Sequence, residues 1–115
     1  MKLNEKNIND FFKIINEKKI KSVFQPIVSL KTGEIVSFEA LSRITLESCT
    51  LNIEELFKIA NTIEQSWKLD QLCRKCAIKA SQQMPSGKKL FINVDANILL
   101  DSDFVQWFKK DYLIK

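Results

Sequence analysis

The chain has 115 residues, with 18 Lys and Arg against 14 Asp and Glu, and is 45% hydrophobic and 28% charged. That composition bounds it to one soluble globular domain or a piece of one, and the net charge of +4 allows an anionic partner without requiring it. There is no histidine, which excludes His-dependent nucleophiles and His-containing zinc sites, and 2 Gly with 2 Pro exclude Gly-rich phosphate loops and Pro-rich linkers.

The opening Met1-Lys2-Leu3-Asn4-Glu5-Lys6-Asn7 lacks the apolar run of about 7–15 residues that a signal peptide needs. Ile8, Phe11, Phe12 and Ile15 recur at i, i+3, i+4 and i+7, predicting an amphipathic N-terminal helix within residues 1–19, from about residue 5. Residues 23–30 and 35–41 are β-rich runs separated by Lys31-Thr32-Gly33-Glu34, which reads as a hairpin; Pro26 cannot donate to a ladder and belongs on an edge. Asn52 with Glu55 opens a second helix carrying Ile53, Leu56, Phe57, Ala60 and Ile63 on one face. A third follows, with Leu69, Leu72, Cys73, Cys76, Ala77, Ala80 and Met84 as its stripe, ended by Pro85-Ser86-Gly87. Lys89–Asp95 reads as a strand, and Asp101-Ser102-Asp103 opens a helix through Phe104, Trp107 and Phe108. A strand joined through helices to a later strand makes that pair parallel, so the fold class is α/β. No stretch approaches the ~20 apolar residues of a membrane helix. The odd cysteine count (Cys49, Cys73, Cys76) fits a reducing compartment, so a cytoplasmic protein is expected.

Glu39 is the informative residue. It lies between apolar neighbours in an expected interior strand, where a lone carboxylate costs several kcal/mol unless it is paired or holds a metal. Side chains alternate along a strand, so Glu39, Leu41 and Arg43 share one face while Phe38 and Ala40 take the other. Asn93, between Ile92 and Val94, repeats the pattern near the end of the later strand. Together they offer two oxygen donors on neighbouring strands, suited to a hard cation such as Mg²⁺ or Mn²⁺; an exposed Glu and a backbone-bonded Asn are the plain alternatives. Gln25 is a third polar group in an apolar strand, free on spacing to bond a ligand or its neighbours. Arg43 suits a phosphate or a guanine edge through its planar fork, and is equally an ordinary strand-end arginine.

Phe24-Gln25-Pro26-Ile27-Val28, Phe38-Glu39-Ala40-Leu41-Ser42-Arg43 and Ile92-Asn93-Val94, in that order across a Gly-bearing turn, resemble the EAL family of cyclic di-GMP phosphodiesterases. The helix run Trp67–Arg74 and the stretch Leu90–Phe104 also fit, so the resemblance covers about residues 20–110. It implies a (β/α)8 TIM-like barrel whose first strand runs antiparallel to the rest. Residues 20–115 would then be its N-terminal half, following the N-terminal helix. It implies Glu39 and Asn93 as ligands of Mg²⁺ or Mn²⁺ at the C-terminal mouth of the barrel, and Gln25, Leu41 and Arg43 as contacts to cyclic di-GMP. The implied reaction is metal-dependent hydrolysis of one phosphodiester to linear pGpG, in which cations lower the pKa of water and neutralise charge on the phosphate.

The departures set limits. Asp95 stands where many family members have Ser, and the segment from Arg43 to Ile53 lacks the usual Pro and Gly. A barrel of this type takes about 250 residues. The family's general base, its paired aspartates and a lysine belong to the other half, so no catalytic base is expected within this chain. Expected partners are therefore cyclic di-GMP and either a second copy or the missing C-terminal half; the alternative is a non-catalytic module that binds a ligand or a protein in cyclic di-GMP signalling. Cys73-Arg74-Lys75-Cys76 lies mid-helix on an apolar stripe, where a CxxC reads as packing and not as redox or zinc chemistry. Lys18-Lys19-Ile20-Lys21 and Lys109-Lys110 lack interleaved aromatics, so neither DNA nor a membrane is expected as a partner.

Overall fold

A computed structural model describes residues 3–94. The first helix, α1, runs Glu5–Glu17. Asn4 caps it by accepting a hydrogen bond from the Asn7 amide at 2.9 Å. It stops short of residue 19 because Lys18 adopts φ 56°, ψ 48° and its amide closes onto the Ile14 carbonyl, a left-handed cap made without glycine.

Strands β1 (Ile20–Val28) and β2 (Ile35–Ile44) form an antiparallel hairpin longer than the apolar runs alone predicted. Its turn is held by Ser29, whose hydroxyl accepts from the amides of Lys31 and Thr32 at 3.2 and 3.3 Å. Gly33, at φ 73°, returns its amide to the Ser29 carbonyl at 2.8 Å. Helix α2 (Ile53–Thr62) begins in a complete capping box between Asn52 and Glu55. Helix α3 covers Ser66–Ala80 and passes into a single 3₁₀ turn, Ser81–Gln83, so Met84 lies beyond the helical stripe expected to contain it. Strand β3 is Lys89–Ile92, four residues long, with Asn93 and Val94 just past its end. Asp95 and the helix expected over 101–108 lie outside the described residues.

The sheet order is β1-β2-β3, with β1 antiparallel and β3 parallel to β2. Among the described residues Pro26 thus lies on an edge strand and Glu39 on the central one. The core is mainly a helical layer beside the sheet: Phe11 and Ile14 of α1, Leu56, Ile59 and Ala60 of α2, and Leu69 and Cys73 of α3, joined by Ile20 and Leu46. Lys6 ties the outer edge of that layer, pairing with Asp10 at 2.7 Å and donating to the Ser48 carbonyl at 3.2 Å. Among the described residues no helix is long and apolar enough to cross a membrane.

Candidate ligand-binding face

The strand register decides which side chains meet. Gln25 on β1 lies opposite Glu39 on β2, and Glu39 lies beside Phe91 on β3. Directly paired residues project to one face, so Gln25, Glu39 and Phe91 form a row across all three strands. Leu41 and Arg43 extend that face along β2 and Asn93 extends it along β3, two residues past Phe91. Register and the Glu39–Asn93 contact therefore bring the five site residues expected from the sequence to one face of the sheet.

Glu39 is half-buried, and its Oε2 accepts a hydrogen bond from Asn93 Nδ2 at 3.2 Å. This contact joins residues 54 positions apart and closes the side chains of two adjacent strands onto each other. Arg43 is exposed, and its Nη1 donates to the Ser42 carbonyl at 3.0 Å. Gln25 is exposed on the edge strand and Leu41 is half-buried. Phe91 is 53% exposed beside Glu39, an apolar neighbour that the motif spacing did not single out.

Glu39 and Asn93 are a suitable start for a hard cation. The carboxylate is ready to ligate, and half a turn of the Asn93 amide exchanges Nδ2 for Oδ1 beside it. They are two donors where Mg²⁺ takes about six oxygens. No cluster of three or more potential ligands occurs among the described residues. The pair would supply two of the donors such an ion takes.

The opposite face of the sheet is structural. Phe24 and Phe38 pack edge to face at 6.5 Å, and Ala40 is buried. Helix α3 lies over β1 and the adjoining part of β2. It carries a pair that the sequence reading did not single out, the buried Asp70 and Arg74, bridged one turn apart within the helix. The i, i+4 spacing of opposite charges was the available signal. A cavity of about 710 Å³ opens between α2, α3 and the ends of β2 and β3, and Leu41, Arg43 and Asn93 line it together with Ser42, Phe57 and Cys73.

Comparison with known proteins adds the family. The EAL domain family model matches residues 8–114. The fold is similar to the EAL domain of FimX from Pseudomonas aeruginosa bound to c-di-GMP, with TM-score 0.74 and 20% identity, over 90% of this chain and 43% of that one. It is similar to the S helix-GGDEF-EAL segment of Vibrio cholerae LapD without ligand, with TM-score 0.77 and 14% identity, over 96% of this chain and 27% of that one. A further structure of the FimX EAL domain matches with TM-score 0.71 and 18% identity, covering 94% of this chain and 45% of its own. No curated protein matches. The chain spans less than half the length of these solved chains.

Proposed function

The chain belongs to the EAL domain family, and on that premise we propose that it carries the first strands of a cyclic di-GMP signalling domain built for metal-dependent hydrolysis of cyclic di-GMP to linear pGpG. The observation that carries this reading is the contact between Glu39 and Asn93 across β2 and β3, at 3.2 Å on an open sheet face. An acid and an amide left to each other at a strand end, with a cross-strand glutamine and an arginine on the same face, fit an anionic ligand held through a cation. The c-di-GMP bound in the FimX EAL domain gives that ligand its identity in this proposal.

Glu39 and Asn93 would hold Mg²⁺ or Mn²⁺. Such an ion, when bound, acidifies a water and screens phosphate charge. Arg43 would donate two parallel hydrogen bonds to a phosphate or to a guanine edge, Gln25 would orient the dinucleotide through its amide, and Leu41 would present an apolar contact. These residues bind and orient. With two donors and no general base among them, the 115-residue chain by itself is expected to bind cyclic di-GMP without turning it over.

Heteronuclear NMR of the chain titrated with cyclic di-GMP in Mg²⁺ tests both parts. Shifts concentrated at Gln25, Glu39, Leu41, Arg43 and Asn93, absent in Glu39→Ala, are the expected result. An unresponsive sheet face contradicts the binding part. Release of pGpG above the Glu39→Ala control contradicts the expectation of binding without turnover.

A further inference from the structure

The cavity of about 710 Å³ shares Leu41, Arg43 and Asn93 with the ligand-binding face, and another of its walls is helix α2. Its volume falls within the range of about 300–1,000 Å³ typical of small-ligand sites. From α2 it takes Ile53, Glu54, Phe57 and Lys58. Ile53 with Phe57, and Glu54 with Lys58, are i, i+4 neighbours, so the helix offers the cavity an apolar stripe and a charged stripe side by side. Both stripes flank the buried Leu56, Ile59 and Ala60 that hold α2 in the core. Ile53 and Phe57 are half-buried, while Glu54 and Lys58 are exposed.

The two acids at the start of α2 differ in use. Glu55 closes the capping box with Asn52. Glu54 forms no ion pair with a described residue, and its carboxylate borders the cavity. A carboxylate accepts hydrogen bonds and donates none. Guanine places two adjacent donors, N1–H and the 2-amino group, on its Watson–Crick edge, a match for two carboxylate oxygens. Adenine sets one donor beside an acceptor on that edge, and hypoxanthine lacks the amino group. Phe57 and Ile53 supply an apolar surface for a purine ring. Arg43 and Lys58 bring two cations to the same cavity, so its charge suits a phosphate despite Glu54.

We propose that this cavity is a guanine-selective pocket, in which Glu54 accepts from the N1–H and 2-amino group of the base while Phe57 packs against its ring. The proposal deepens the reading of the adjoining sheet face as a cyclic di-GMP site and rests on it: one base of the dinucleotide enters beside α2 while a phosphate stays with Arg43 and Asn93. A free guanine nucleotide probes the pocket apart from that reading.

The test titrates the 115-residue chain with guanosine 5′-monophosphate, inosine 5′-monophosphate and, in Mg²⁺, cyclic di-GMP, under heteronuclear NMR. The variants are Glu54→Gln and, as an acid away from the cavity, Glu17→Gln; circular dichroism monitors the fold. The guanine nucleotide is expected to shift the amides of residues 53–58 and to bind about tenfold tighter than the inosine nucleotide, the weight of one hydrogen bond to a charged group. Glu54→Gln should narrow that preference to about twofold or less, and Glu17→Gln should preserve it. Equal binding of the two nucleotides by the wild type overturns the proposal, as does a preference that survives Glu54→Gln, or guanine shifts that miss residues 53–58. Cyclic di-GMP that moves Glu39 and Asn93 while neither ligand moves residues 53–58 leaves the sheet-face reading standing and sinks the pocket. Guanine shifts at 53–58 that Glu54→Gln abolishes, with no response of the sheet face to cyclic di-GMP, support the pocket and sink the sheet-face reading.

Discussion

Asp70 on α3 and Glu39 on β2 are both carboxylates set among apolar neighbours, and the fold treats them in opposite ways. Asp70 is 3% exposed and is bridged to Arg74 within its own helix. Glu39 is half-buried, makes no ion pair among the described residues, and takes one hydrogen bond from an amide on another strand. An oppositely charged, buried pair keeps its charges in the interior. A carboxylate whose company is an amide, on a face open to solvent, keeps free coordination capacity. Glu55 is intermediate, since its Oε1 accepts from the Asn52 amide at 3.2 Å in a local cap. Burial and partner identity, more than the presence of a carboxylate, separate a group that holds the fold from one with capacity for the proposed ligand.

Substitutions sharpen that contrast in order of size. Asp70→Ala leaves the Arg74 charge buried without its bridging carboxylate, and chemical denaturation should show a loss of about 3–5 kcal/mol. A comparable cost for Glu39→Gln would break the contrast. Next is the alkaline limb of stability. Cys73 has a folded pKa of about 12 against an ordinary 9.0, so its stabilising effect is complete below pH 9 and is lost as the pH climbs towards 12. Denaturation from pH 8 to 12 should therefore fall more steeply for the wild type than for Cys73→Ala. Asn52→Ala removes the α2 capping box and should cost about 1 kcal/mol in the same assay. Glu39→Gln, smallest in stability, should lie within about 0.5 kcal/mol of the wild type, because the amide can still accept from Asn93.

Much of this was legible before the structure. The apolar spacing of residues 8–15 placed α1, the Asn52–Glu55 pair marked the start of α2, and Pro26 marked β1 as an edge strand. The Glu39, Leu41 and Arg43 face followed from alternation alone, because period-2 geometry leaves no freedom within a strand. The distance from Glu39 to Asn93 was not legible, since it depends on the parallel register between β2 and β3, which no local pattern encodes. Helix ends slipped for the same kind of reason. Lys18 gives no glycine signal for its left-handed cap, and the change from α to 3₁₀ geometry at Ser81 leaves the apolar spacing through Met84 intact. Asp70 and Arg74 carried the spacing of a surface pair, and their burial comes from tertiary packing around α3.

The central claim is that Glu39 and Asn93 form the seat of a divalent cation, and titration of the chain with Mn²⁺ under NMR detection tests it most directly. Paramagnetic broadening should appear first at Glu39 and Asn93, should spread next to Gln25 and Phe91, and should vanish in Glu39→Gln with the fold intact. Broadening centred on the helix acids Glu5, Glu54 or Glu55, or broadening at Asn93 that survives Glu39→Gln, would contradict it.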